Sequence, residues 1–194
     1  MKRIIAASAL LALTACTSTV QNADLENKVA ALEKRVSELE KKAINRPALY
    51  RKYFNARMAE DRKTYPGDFS KIENAYQTAN QNADPEKQKE ELNALIKKYP
   101  KANRSGCAML YIGQKTKGKE QEEYLLKAIN EYGNCWYGNG VQVGAYARLW
   151  LAENYKKAGK KTEADKLFAE LRKDYPDAID HRGRLLSEQI PELN

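Results

Sequence analysis

The sequence predicts an all-α protein: an N-terminal coiled-coil helix, then a superhelix of about three helix pairs with capping helices at its ends. Three observations carry the prediction. Apolar residues recur every seven positions from Asn22 to Ala43. Four related endings, "TYPGD", "KYPKA", "EYGNC" and "DYPDA", each close a lysine- or glutamate-rich amphipathic stretch. The 194 residues are 42% apolar and 31% charged, which suits a folded helical chain with wet outer faces and is too apolar for a disordered one.

The first element, "MKRIIAASALLALTAC", is set apart from the fold. Lys2 and Arg3 give a positive start, and Ile4 to Leu13 an apolar run too short to span a bilayer. Residues 1–15 therefore read as a cleaved export signal. Its end, "LTAC", resembles the bacterial lipobox. That resemblance implies that Cys16 becomes an acylated N-terminus, that residues 16–21 form a lipidated tether, and that the chain is membrane-anchored, with an ordinary secreted protein as the alternative. Thr17, where an aspartate is absent, resembles lipoproteins sorted to the periplasmic face of the outer membrane. Loss of Lys2 and Arg3 lowers the formal charge from +8 to +6. The remaining lysines are interleaved with glutamates rather than clustered, so no nucleic-acid partner is expected.

Residues 22–44 form the predicted coiled coil. Asn22, Val29, Val36 and Ala43 take position a, and Leu25, Leu32 and Leu39 position d, so Leu25, Val29, Leu32, Val36 and Leu39 make its core. Glu26, Glu33 and Glu40 fall at e, while Lys28, Arg35 and Lys42 fall at g. In a parallel homo-oligomer each basic g residue meets an acidic e residue of the neighbour, so the expected partner is a further copy of the chain. Val at a with Leu at d tilts toward two strands. Residues 35–40, "RVSELE", resemble a recurrent trimerisation motif and imply a parallel homotrimer, with a dimer as the alternative. A single solvated helix with internal Glu/Lys pairs is the third reading. Pro47 ends the helix.

From residue 48 to 194 the chain repeats. Tyr65, Tyr99, Tyr132 and Tyr175 end successive units at spacings of 34, 33 and 43 residues, close to the period of about 34 that a two-helix unit requires. In "GAYARLWLAENYKKAGKKTEADKLFAELRKDYP", Leu151, Ala152 and Tyr155 share one helix face, Gly159 turns the chain, and Ala164, Phe168 and Leu171 line the facing stripe. This unit resembles a tetratricopeptide repeat. Its predecessor places Met109, Leu110 and Ile112 against Leu125, Ala128 and Ile129 around Gly118. The unit before that sets Phe69, Ile72, Ala75 and Tyr76 against Leu92, Leu95 and Ile96, with Asp84-Pro85 as a helix start. A helix over 48–64 and another over 177–189 are expected to cap the array. The resemblance implies a concave groove lined by the first helix of each unit, with Tyr146, Leu149, Glu153 and Lys156 pointing into it and an envelope protein or peptide as the partner.

Lipid anchor, coil and repeats together resemble the CpoB/YbgF type of periplasmic protein, which works with the Tol-Pal system, and imply an interaction scaffold in cell-envelope organisation. An assembly subunit of BamD-like type, an NlpI-like adaptor, or a structural oligomer contacting peptidoglycan or anionic lipid are alternatives. No enzymatic activity, cofactor or metal is expected. His181 is the sole histidine and reads as a surface residue, and no phosphate-binding or zinc motif occurs. Cys107 and Cys135 fall at adjacent ends of an antiparallel helix pair. A disulfide closing about 29 residues would add about 3–4 kcal/mol, and two buried reduced thiols are the alternative. Between the last two repeats, "GNCWYGNGVQVG" (133–144) reads as an insertion, with Trp136 and Tyr137 covering helix ends and Gly138 and Gly140 turning the chain toward a helix beginning near Val141.

Overall fold

The computed structural model describes residues 25–39 and 50–190, and the chain divides into two units, Met1–Asn45 and Arg46–Asn194. The export signal 1–15, Cys16, the tether, Asn22, Glu40, Lys42, Ala43 and Pro47 lie outside the described residues. In the first unit, residues 25–39 form one helix. Leu25, Val29, Leu32, Val36 and Leu39 are 59%, 50%, 61%, 51% and 55% exposed, so among the described residues the heptad stripe is open.

Among the described residues, seven α-helices build the second unit: α1 (50–64), α2 (Phe69–Gln81), α3 (Pro85–Lys98), α4 (Asn103–Lys115), α5 (Gly118–Asn130), α6 (Val143–Lys157) and α7 (Lys161–Asp174). Helices α2/α3, α4/α5 and α6/α7 pack as pairs, α3 meets α4, α5 meets α6, and the first helices α2, α4 and α6 touch along one shared face. This is the stacked superhelix that the period predicts. Local chemistry sets the boundaries. Asp84 accepts from the backbone N–H groups of Glu86 and Lys87 at 3.0 and 3.3 Å, with Pro85 in the first turn of α3. Ala152 and Ala164, both fully enclosed, let α6 and α7 approach, and Phe168 and Leu171 fill the space beside them.

The C-terminal cap is not the helix expected over 177–189. The chain makes a hook instead, with an antiparallel bridge between Ile179 and Leu185 and only a short 3-10 turn at Ser187–Gln189. Asp180 explains the change. Its carboxylate accepts from the backbone N–H groups of Arg182 and Arg184 at 2.9 and 3.0 Å and from Arg184 Nε at 2.8 Å, offering the backbone a turn in place of a helix. Burial alone would raise the Asp180 pKa, but these bonds outweigh it and hold the carboxyl below its ordinary range. The hook performs the capping role all the same: Leu186 and Ile190 join Leu149, Ala152 and Phe168 in one buried cluster, and each large apolar side chain enclosed in this way stabilises by about 1.5–3 kcal/mol.

Candidate functional site

The insertion between the second and third pairs folds as a small hairpin. Trp136 bridges Gln142, Tyr137 N–H donates to Val141 O at 2.9 Å, and Gly140 N–H donates to Tyr137 O at 3.0 Å. Gly140 turns the chain at φ 90°, a region that side chains resist. Gly144 has a different reason: a Cβ there would stand 2.7 Å from Gly133 Cα, so the start of α6 crosses the residues after α5 at backbone contact. Helix α6 begins at Val143, two residues past the expected start.

Asn103, at the start of α4, anchors the hairpin. It is fully buried, accepts from Trp136 N–H at 2.7 Å and donates from Nδ2 to Trp136 O at 2.8 Å, while its own N–H donates to Asp61 Oδ2 of α1 at 2.9 Å. Burial raises the Asp61 pKa, with the Asn103 N–H and the Arg57 charge working against it. Trp136 then stacks with Tyr50 and Tyr53 of α1 at centroid distances of 5.6 and 5.1 Å. Tyr137 points the other way. Its hydroxyl donates to Cys107 O of α4 at 2.8 Å and lies beside Tyr76 of α2, and burial pushes its pKa up. Thus Tyr137 covers the shared face of the first helices rather than a helix end.

Arg104 completes that covered region. Its guanidinium grips Glu73 of α2 through Nε at 2.8 and 3.0 Å and Nη2 at 2.7 Å, and lies over the rings of Tyr76 and Phe54 at 4.9 and 5.4 Å. Burial disfavours its charge, but the Glu73 bonds more than offset this and its pKa is raised. His181 of the hook sets its ring edge-on to Tyr137 and Tyr146 at 4.7 and 5.4 Å, and its Nδ1 bonds Asn139 Nδ2 at 3.1 Å. The sole histidine is therefore on the surface, as expected, yet it joins the hairpin to α6.

Beyond His181 the shared face stays open. Tyr146, Leu149, Trp150, Glu153, Asn154 and Lys157 of α6, with Gln189 of the hook, line a cavity of about 190 Å³. Tyr146 and Trp150 meet edge to face at 6.4 Å. Tyr146 and Glu153 are half-buried in this lining. Leu149 is 6% exposed and belongs to the core beneath. Lys156 does not line the cavity and is exposed, because the lining follows 146, 149, 150, 153, 154 and 157, the three- and four-residue steps of one helix face, which Lys157 continues. Trp150, Asn154 and Lys157 were readable from that spacing. Gln189 and Asn103 were not, since each reaches its place through chain reversals that leave no local pattern.

Cys107 and Cys135 are both buried, and no disulfide joins them in this structure. Cys107 Sγ lies 3.6 Å from Trp136 O, while Cys135 packs against Gly106, where an added Cβ would meet its Sγ at 2.5 Å. Burial pushes the Cys107 thiol well up, and pushes Cys135 up to about 11. Both are protonated at neutral pH, which removes the thiolate that attack requires.

Fold and site together define a helical-repeat protein with a partly covered repeat face. A tetratricopeptide repeat family model matches residues 146–178, the stretch comprising most of α6, all of α7 and the start of the hook. The chain thus contains a tetratricopeptide repeat, a unit that generally mediates protein–protein binding and typically serves as a non-enzymatic scaffold. No curated protein and no solved structure matches the chain.

Proposed function

We infer that this protein is a lipid-anchored scaffold of the outer membrane's periplasmic face, self-associating through residues 22–44 and holding an envelope partner protein on its repeat face, in the manner of the CpoB/YbgF type. The observation that carries the binding part is the open cavity on α6, where Tyr146 and Trp150 present aromatic surface beside Glu153 and Lys157 within the matched repeat. Aromatic groups on a polar-rimmed surface are what protein interfaces concentrate. The lipobox-like "LTAC" supports the anchor, and the sorting rests on Thr17.

Self-association is supported by the exposed heptad stripe together with its e and g charges. A parallel homotrimer satisfies both, and tethering at one membrane raises the local concentration of the strands. The deciding experiment is a crosslinking pulldown from the native envelope, comparing wild type with Tyr146→Ala. Loss of one defined partner, with the helical circular-dichroism spectrum retained, is expected. An identical partner set for both chains refutes the groove as the binding surface, and retention on purified peptidoglycan lost only on breaking the coil favours the structural-oligomer reading.

A further inference from the structure

We propose that the cavity between α1, the hairpin and the hook is a guanidinium-binding site, filled by one arginine side chain of a partner protein. It shares no residue with the α6 cavity, and it rests on the scaffold reading only in taking its arginine from a protein.

Three observations carry it. First, the cavity is walled by the rings of Tyr50, Tyr53, Trp136 and Tyr175 together with Asp174 and Asp177. Its volume of about 290 Å³ stands at the lower edge of the roughly 300–1,000 Å³ of ligand pockets, enough for one long side chain. The Trp136 ring lies nearly parallel to those of Tyr50 and Tyr53, at 23° and 14°. A flat stack of this kind continues into a planar cation, whereas a tetrahedral ammonium is best held by rings set around it. Lys52 lies over the Tyr53 ring at 5.0 Å but does not line the cavity.

Second, Asp174 and Asp177 are exposed and form no ion pair among the described residues. Asp174 ends α7, where negative charge opposes the helix dipole, so α7 gains nothing from it. Asp177 is kept against the cavity by its backbone carbonyl, which accepts from the Tyr50 hydroxyl. Third, the protein completes the same combination elsewhere with an arginine of its own. Arg104 lies over Tyr76 and Phe54 and is gripped by Glu73, and Arg148 lies over Tyr175 at 4.9 Å and bonds Glu170 at 3.0 Å. Rings and carboxylates also stand together around Trp136, yet among the described residues no arginine lines that cavity. A guanidinium brings both a flat face for the stack and forked N–H donors for a carboxylate.

The test is an NMR titration of the full chain with N-acetyl-L-arginine methylamide, read at the Trp136 indole N–H, against the isosteric but uncharged citrulline analogue and the lysine analogue. Saturable shifts are expected with the arginine probe. The citrulline analogue should bind about three- to tenfold more weakly, the worth of two exposed ion pairs, and the lysine analogue more weakly for want of a planar face. The double variant Asp174→Asn, Asp177→Asn should weaken the arginine probe by about the same three- to tenfold, and Tyr53→Leu, at a 44% exposed position, by about two- to fivefold. No saturable shift at Trp136, equal binding of either analogue, or unchanged affinity in the aspartate variant overturns the proposal. Arg46, four residues before Tyr50, is the chain's own competitor. Probe binding that emerges only in Arg46→Ala gives the site to that side chain and overturns a partner's arginine. The scaffold reading is read at Tyr146 on a captured partner and this site at Trp136 on a small probe, so either can fail alone.

Discussion

Asn103→Ala tests the architecture at the point where the insertion is tied to the repeats. The alanine keeps the backbone N–H that donates to Asp61 at 2.9 Å, but it removes the acceptor for Trp136 N–H at 2.7 Å and the donor to Trp136 O at 2.8 Å. Each orphaned polar group costs about 1–3 kcal/mol. Water entering the vacated space recovers part of this at the half-buried Trp136, which puts the expected loss in the lower half of the combined range of about 2–6 kcal/mol, at about 3 kcal/mol. At about 2–4 °C per kcal/mol for a chain of this size, the melting temperature falls by about 6–12 °C. Urea unfolding followed by circular dichroism measures the loss, and an unchanged denaturant slope shows that stability alone has moved. A loss below about 1 kcal/mol would mean that the hairpin is held by its stacking and backbone bonds, and that Asn103 is not its anchor.

Other perturbations probe separate links. Gly144→Ala gains about 1 kcal/mol of helix preference, but its Cβ meets Gly133 Cα at 2.7 Å, where no side chain can rotate away; a net loss of about 1–3 kcal/mol is expected by calorimetry, and a stabilised variant would refute the backbone contact. Burial lowers the His181 pKa below 6.5, with Asp180 pulling it up, so the native state favours the neutral ring: its contribution is present above the unfolded pKa and is lost as pH falls through that value and the lower folded one. Wild type should therefore lose more melting temperature than His181→Gln between about pH 7.5 and 5.5, and equal losses would remove the histidine from the explanation. In sedimentation, wild type should be oligomeric and the double variant Leu32→Asp, Leu39→Asp monomeric with its repeats folded; a monomeric wild type would refute the heptad reading.

The repeat array was legible because its signals are local. Tyrosine-ended units, the Asp84-Pro85 start and the Ala152/Ala164 approach each follow from residues within one helix pair. Non-local pairing was hidden. Asn103 meets Asp61 and Trp136 across 42 and 33 residues, and no periodicity marks such a residue. The C-terminal hook is not legible in the sequence because its apolar residues fit a helix as well as a turn, and the Asp180 side chain decides between them. On α6 the three- and four-residue spacing of one helix face places Tyr146, Leu149 and Glu153 at the cavity and continues through Lys157, while Lys156 lies off that face.

The weak repeat signature of the middle unit has a physical source in the hairpin. In a regular array the first helix of each pair presents its free face to solvent or a partner, so its small residues answer only to neighbouring helices. Helix α4 has a further obligation. Asn103 must hold Trp136, Arg104 must bridge Glu73 and Phe54, and Gly106 must leave room for Cys135 within the 2.5 Å that a Cβ would occupy. Cys107 lies under Tyr137, and its burial holds its thiol protonated. These positions depart from the repeat pattern because they pack against the insertion. The third unit keeps the pattern along α6, and there the shared face remains open. The part of the chain that best preserves its repeat signature is thus the part left free to meet a partner, which ties the departure from the pattern in α4 and the open cavity on α6 to one cause, the hairpin at 136–142.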